Sequence, residues 1–231
     1  MLTSASAYKT YYTSYLQVVF QTSVARAGYI SNIYSIVSCS WAIIISIAFK
    51  YTDTYKWGAL AAVPIMILMS GLLIQFREPG TSIAVLVVVE VLFAMAAATI
   101  YQVEQVAIMA AVPHEYLATG LALLDLVTSI GGSVGQTIAG TVWTQIVPVR
   151  ITEYLPMESK QQAAALYASL KDVLKQPWDS PERQAVVHAY GDAQKIMVII
   201  GTATFIPCFL WMLMLKNYRM SEHQQRKGLQ A

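Results

Sequence analysis

Residues 83–112 read IAVLVVVEVLFAMAAATIYQVEQVAIMAAV, a run long and apolar enough to cross a bilayer that nevertheless carries two carboxylates, Glu90 and Glu104. A membrane helix needs about 20 apolar residues. An acid near the middle of the bilayer costs roughly 2.5–3.5 kcal/mol even on the mild insertion scale, so such a group normally faces a polar cavity or a partner. At about 100° per residue the two acids return to nearly one face, roughly 21 Å apart along the axis. That face reads Glu90, Ala94, Ala97, Ala98, Tyr101, Glu104 and Gln105. Small side chains in the middle, with carboxylates, a phenol and an amide toward the ends, predict a helix that lines a passage across the membrane.

The composition agrees with that reading. Of 231 residues, 56% are hydrophobic and 12% charged, about half the charge fraction of an ordinary soluble domain, and the mean hydropathy is +0.51. This is the composition of a multi-pass protein embedded in a lipid bilayer. A net charge of +2, with no basic patch interleaved with aromatics, argues against a nucleic-acid partner. Cys39 and Cys208 each sit in an apolar run, so free buried thiols are expected, not a disulfide framework or a zinc site. No cofactor and no resident metal are expected. Met1 is followed by small polar residues and tyrosines, unlike the basic stub and short apolar core of a cleavable signal peptide.

Upstream of the central run, REPG at 77–80 is a tight turn, and residues 57–76 form a span that Pro64 and Gly71 can bend. KYTDTYK at 50–56 is a short charged turn. Residues 29–49, entered after a break at Gly28, carry a seryl stripe, Ser31, Ser35 and Ser38, beside Asn32 and Cys39. Small hydroxyl residues at this spacing normally mean close helix packing. Asn32, an amide that needs a partner in the bilayer, is the candidate ligand contact. The first segment, 5–24, is the least apolar, and Lys9 places its start near a surface to which a long side chain can snorkel. Tyr8, Tyr11, Tyr12 and Tyr15 recur there at helical spacings of three and four. They form either a hydroxyl-bearing aromatic wall for a bulky ligand or an interfacial belt, although roughly 10 Å of helix is deeper than a belt requires. Few residues precede this helix, which is expected to be incomplete.

Downstream, PHEY at 113–116 is a short turn, which makes the central helix and the next span, 117–147, antiparallel neighbours. The latter presents Asp125, Thr128, Ser129, Gly132, Gln136 and Gly140 on one face, and Gly131 and Gly135 form a G-x-x-x-G step that lets backbones approach. Asp125 sits either at the bilayer surface or on a polar pathway. Pro148 opens an external loop, 148–192, in which 159–175 is amphipathic with Leu166, Leu170, Val173 and Leu174 on one side. A second short helix starts with Ser180 as N-cap and Pro181 at its first position and ends before Gly191. Tyr167 and Tyr190 are candidates for shaping an outer gate. Residues 193–215 form the last span and 216–231 a polar tail. Counting the spans in order puts Lys50, Lys56, Lys216, Arg219, Arg226 and Lys227 on one side and Arg26 and Arg77 in the opposite short turns. The positive-inside rule then places the tail in the cytosol and the long loop outside.

Six helices with short turns and polar faces amount to one lobe of a two-lobed transporter. Several stretches resemble the fungal siderophore-iron transporters of the major facilitator superfamily: YLQVV at 15–19, ARAGYI at 25–30, NIYS at 32–35, EQ at 104–105 leading to MAAV at 109–112 and His114, SIGG at 129–132 with Gly135, EYLP at 153–156, and YGDAQ at 190–194. The likeness runs in order over nearly the whole chain. It implies an all-α membrane fold in which this chain is the six-helix C-terminal lobe. The missing N-terminal lobe and further family-specific helices would be its partners. It also implies import of a ferric siderophore, driven by protons, across the plasma membrane or from an endosome. At position 53 an aspartate stands where the family usually has glycine, in a turn that would latch helices on the cytosolic side.

In such a transporter Glu104 is the expected proton-carrying residue, with Glu90 and Asp125 as secondary candidates. A carboxyl group partly withdrawn from water can take up a proton on one side and release it on the other. The candidate substrate contacts are Tyr8, Tyr11, Tyr12, Tyr15, Asn32, Tyr101, Gln105 and Gln136. Two alternatives share the architecture: a proton-driven antiporter exporting drugs or glutathione conjugates, and a non-transporting half that acts only by association. An enzyme is disfavoured. His114, His188 and His223 lie apart in sequence, His114-Glu115 is not completed to H-E-x-x-H, and GGSVG at 131–135 follows no strand, as a dinucleotide fingerprint must.

Overall fold

The computed structural model describes residues 2–52, 54–77 and 80–214. Asp53 and the tail at 216–231 lie outside the described residues. The chain is all-helical: α1 (Leu2–Lys9), α2 (Tyr12–Val19), α3 (Val24–Thr52), α4 (Lys56–Phe76), α5 (Ile83–Ala111), α6 (Leu117–Tyr154), α7 (Ala163–Ala168), α8 (Leu170–Lys175), α9 (Pro181–Ala203) and α10 (Phe205–Met214), with short 3-10 turns at His114–Tyr116 and Met157–Gln162. Among the described residues, five stretches are long and apolar enough to cross a membrane: Val24–Thr52, Lys56–Phe76, Ile83–Ala111, His114–Tyr154 and Pro181–Met214.

Helix α5 packs between α3 and α4, while α9 is flanked by α6 and α4. The short α1 and α2 fill the angle between these groups, resting on α6, α9 and α3. Buried positions on α5, including Leu86, Val89, Phe93, Ala96, Ile100 and Val103, cover more than one face, as befits a helix that is apolar nearly all round. Helix α3 is peripheral; only Ala27, Ile30 and Phe49 of it are buried. Its end is pressed onto the start of α4, where a Cβ on Gly58 would stand 2.6 Å from the Phe49 ring. Only glycine permits that approach.

The expected single helix over 5–24 is instead two helices of eight residues, interrupted at Thr10–Tyr11 and closed at Phe20. The break before α3 falls at residues 20–23, with Gln21 in the left-handed region at φ 50° and Thr22 donating its hydroxyl to the Leu16 carbonyl at 2.9 Å. Gly28, expected as a breaker, lies inside α3. One glycine costs a helix only about 1 kcal/mol, and packing over many turns outweighs it.

Two further boundaries differ for the same reason. Pro148 does not open a loop: α6 continues to Tyr154 because Ala139, Trp143, Val147, Ile151 and Leu155 repeat every fourth residue and are all buried. Loss of one backbone bond at a proline is outweighed by that stripe. Helix α9 likewise does not stop before Gly191, since Ala185, Ala189, Ala193, Met197 and Gly201 form a buried stripe at the same spacing, and small residues let α6 and α1 come close. It ends at Thr204, where Pro207 three residues on cannot donate to the Ala203 carbonyl, and α10 starts anew.

The amphipathic segment at 159–175 is broken as well. Ser169, at φ −131° and ψ 104°, separates α7 from α8 and accepts a hydrogen bond from the Asp172 amide. Arg183 ties this segment down. It is 3% exposed, and its guanidinium donates to the Val173 carbonyl at 2.7 Å and the Val18 carbonyl at 3.0 Å. Both are carbonyls near helix C-termini, where a cation complements the helix dipole. Arg183→Ala should lose roughly 2–3 kcal/mol, as expected for hydrogen bonds from a charged donor. Limited proteolysis should then cut within 157–176 markedly faster than in the unsubstituted chain.

Candidate functional site

Two features carry polar side chains, one buried within the bundle and one a cavity open at its side. The first surrounds Glu90, which is fully buried on α5. The Tyr12 hydroxyl on α2 donates to Glu90 Oε2 at 2.9 Å. Arg77, at the C-terminal end of α4, is only 1% exposed. Its guanidinium carbon lies 4.5 Å from the Tyr8 ring centroid and 4.8 Å from that of Tyr12, and its Nη1 donates to Gln194 Oε1 on α9. Lys9 stands 3.4 Å over the ring of Tyr34 on α3. Groups from α1, α2, α4, α5 and α9 therefore converge on one buried cluster.

The second feature is a cavity of about 430 Å³ between α3 and α5, lined by Tyr34, Ser38, Cys39, Ala42, Ala97, Ala98, Tyr101, Gln102 and Gln105. Its volume falls in the range that holds a small organic ligand. Hydrogen bonds brace its walls: Trp41 Nε1 donates to Thr99 Oγ1 at 3.0 Å, and the Gln102 amide donates to Ser46 Oγ at 3.0 Å and to the Ala42 carbonyl at 3.3 Å. The lining bears tyrosine hydroxyls, amides and methyl groups and no charged side chain. Small residues at Ala97 and Ala98 leave the space open, and Tyr101 reaches on to α6, donating to Asp125 Oδ1 at 3.2 Å.

The residues singled out from sequence are distributed unevenly over these features. Tyr101 and Gln105 line the cavity, with Asp125 bonded to Tyr101 at the α5–α6 junction. Glu104 is half-buried one position away from Gln105. The four N-terminal tyrosines do not form an open wall. Tyr8, Tyr12 and Tyr15 are core residues at 1% exposure or less, and Tyr11 stacks on Trp143 of α6, with centroids 4.2 Å apart and planes at 7°. Asn32 is exposed and donates to the Gly28 carbonyl of its own helix at 3.0 Å. Gln136 is exposed on α6, away from the cavity. Tyr190 belongs to the core, 4% exposed and edge-on to Trp143 at 4.6 Å, because α9 continues where a loop was expected. Tyr167 is half-buried on α7.

Arg77 is the residue that sequence reading misplaces. Counted there as a turn cation, it folds inward from the last turn of α4. The signal available was its position at the end of an apolar helix in a chain whose first segment is rich in tyrosines, whose ring faces can take a cation. Tyr34, Ser38 and Gln102 enter the cavity only because α3 lies along α5, a pairing that sequence spacing does not specify. Among the described residues, no three His, Cys, Asp or Glu side chains come together to hold a metal ion.

Long apolar helices around a buried polar cluster, with a lateral cavity, are the architecture of an all-α, multi-pass membrane protein. No protein-family profile matches the chain, and no solved structure matches it. The chain is 40% identical over 221 residues to MFS siderochrome iron transporter 1 of Ajellomyces capsulatus, an alignment covering 95% of this chain and 38% of that protein. It is 38% identical over 221 residues to MFS siderochrome iron transporter B of Aspergillus fumigatus, covering 96% of this chain and 36% of the relative. Against siderophore iron transporter mirB of Emericella nidulans it is 35% identical over 222 residues, 96% of this chain and 37% of the relative. Over nearly its whole length the chain is similar in sequence to siderophore-iron transporters of the major facilitator superfamily, and it spans a little over a third of the length of the relatives it matches.

The Tyr12–Glu90 bond predicts a specific cost. Tyr12→Phe should lower stability by roughly 1–3 kcal/mol, the penalty for leaving a buried acceptor unsatisfied, whereas Tyr11→Phe should leave it nearly unchanged. Thermal unfolding of the detergent-solubilised chain, followed by tryptophan fluorescence, distinguishes the two.

Proposed function

We propose that the chain forms part of a proton-coupled importer of ferric siderophores at the plasma membrane, working with helices that these 231 residues do not include. The observation that carries this reading is the α3–α5 cavity, lined by Tyr101 and Gln105, in a chain whose relatives are named siderochrome and siderophore iron transporters. An uncharged lining of phenols, amides and methyl groups suits contact with the organic periphery of a bulky chelate.

The two acids of α5 differ in how far the protein encloses them. A proton carrier must be reachable from an aqueous phase, and Glu104, half-buried near the cavity, meets that need. Glu90 is enclosed and hydrogen-bonded on one oxygen. Glu104 is therefore the proposed proton-binding residue, with Asp125 and Tyr101 alongside it at the α5–α6 junction. The outward faces of α3 and α6 fit apposition to further helices. On α6 a ladder of hydroxyls runs from Ser133 to Thr144, each bonded to a carbonyl of its own helix, so the helix can present polar residues there without unsatisfied groups.

The test is uptake of a radiolabelled ferric siderophore by iron-starved cells that lack other uptake routes, expressing the chain joined to the remaining segment of a relative. Import and growth rescue are expected; drug resistance without rescue would favour export instead. In this system Glu104→Gln should abolish the stimulation of uptake by external acid, and unaltered acid stimulation would remove Glu104 from the mechanism. Ala98→Phe, which fills the cavity, should raise KM severalfold while membrane insertion is retained; an unchanged KM would place the substrate elsewhere.

A further inference from the structure

Among the described residues, Arg77 and Glu90 are the most deeply enclosed cation and anion, at 1% and 0% exposure, and a guanidinium stays charged in any protein environment. No direct ion pair joins them among the described residues. Tyr12 lies between them chemically. Its ring takes the Arg77 guanidinium at 4.8 Å on the π-system, while its hydroxyl donates to Glu90 Oε2 at 2.9 Å. The two contacts reinforce one another. A phenol donating to a carboxylate becomes richer in electrons, which deepens the negative ring face that attracts the cation. The polar atoms left over are complementary in kind. Arg77 Nε and Nη2, the Gln194 side-chain nitrogen and the Tyr8 hydroxyl have no partner, and neither does the acceptor Glu90 Oε1.

We propose that Glu90 is the fixed counter-ion of Arg77, coupled to it through Tyr12, and that this pairing sets Glu90 apart from Glu104: Glu90 holds α2, α4, α5 and α9 together and does not carry the transported proton. The charged and titratable groups facing Glu90 are Lys9 and Tyr8 from α1, Tyr12 from α2, Tyr34 from α3 and Arg77 from the end of α4; α9 contributes the neutral Gln194. Two cations and three phenols surround this one carboxylate. Removing Glu90 leaves Arg77 with no anion among the described residues of the cluster, and removing Arg77 leaves Glu90 only the half-buried Lys9. Removing both leaves a neutral cluster of similar shape. This assignment rests on the proposed proton-coupled transport only for its second half; the pairing stands or falls separately.

The experiment is a double-mutant cycle on the full 231-residue chain, read as thermal stability in detergent. R77Q and E90Q should each lower the unfolding midpoint by roughly 10 °C, as breaking a buried pair in a chain of this size would, and R77Q/E90Q should recover at least half of the loss. R77K, which keeps the charge, should fall between the parent and R77Q. Y12F should shrink the coupling between positions 77 and 90 severalfold. If the single variants fail to fold, recovery of folded protein in the double variant is the readout. Additive losses would overturn the pairing, and so would recovery of R77Q by E78Q rather than by E90Q. In the uptake system above, R77Q/E90Q should keep its acid stimulation. Loss of that stimulation in a folded double variant would overturn the division of roles, while its persistence in E104Q would count against the transport mechanism and leave the pairing intact.

Discussion

An arginine enclosed among apolar helices obliges its neighbours to supply what water would otherwise provide, because the guanidinium cannot shed its charge. Arg77 imposes that requirement here. It is met by the ring faces of Tyr8 and Tyr12, the amide oxygen of Gln194 and, beyond Tyr12, the carboxylate of Glu90. This explains why the least apolar of the candidate spans lies deep inside the bundle. Helices α1 and α2 are short and broken, yet they carry the phenols that mediate between a cation on α4 and an anion on α5. A continuous apolar helix in their place would leave both charges uncompensated.

The rest of the interior is arranged so that polarity is either consumed in such pairs or exposed in a defined place. Across α4 and α9, Ser70 and Thr202 share a hydrogen bond of 2.6 Å. Between α3 and α5, Trp41, Thr99, Gln102 and Ser46 bond to one another around the cavity and leave Tyr101 and Gln105 on its wall. Side-chain bonds of this kind rigidify the walls while small residues, Ala97 and Ala98, keep the space open. The cavity and the charged cluster share one helix, α5, which carries Glu90 in one and Ala97, Ala98, Tyr101, Gln102 and Gln105 in the other.

Much of the helical framework was legible from apolar runs alone. The runs at 57–76 and 83–112 carry the helices Lys56–Phe76 and Ile83–Ala111, because nothing but a helix satisfies the backbone of so long an apolar segment in a membrane. Local breakers were less informative. Gly28, Pro148 and Gly191 all read as ends of helices, and each lies within one. For Pro148 and Gly191, buried stripes repeating every fourth residue outweigh a local cost of one to a few kcal/mol. At Ser169 the reverse holds: an amphipathic pattern continues across a position where the backbone departs from the helix. Of the candidate site residues, Tyr101 and Gln105 share the cavity wall and Asp125 accepts a bond from Tyr101, while Asn32 and Gln136 turn outward and Tyr190 packs into the core.

The amino-acid sequence by itself determined that this is an α-helical membrane protein, that acids lie within its central helix, and which family its wording matches, since apolar length, charge placement and ordered motifs are properties of the chain read linearly. The tertiary structure alone decided which of those acids is enclosed, that Arg77 turns inward to face the tyrosines, and that α3 rather than another helix closes the cavity beside α5. Those outcomes depend on which helix faces meet, and side chains far apart in sequence, such as Tyr12 and Glu90, acquire a relation only when packing brings their helices into contact.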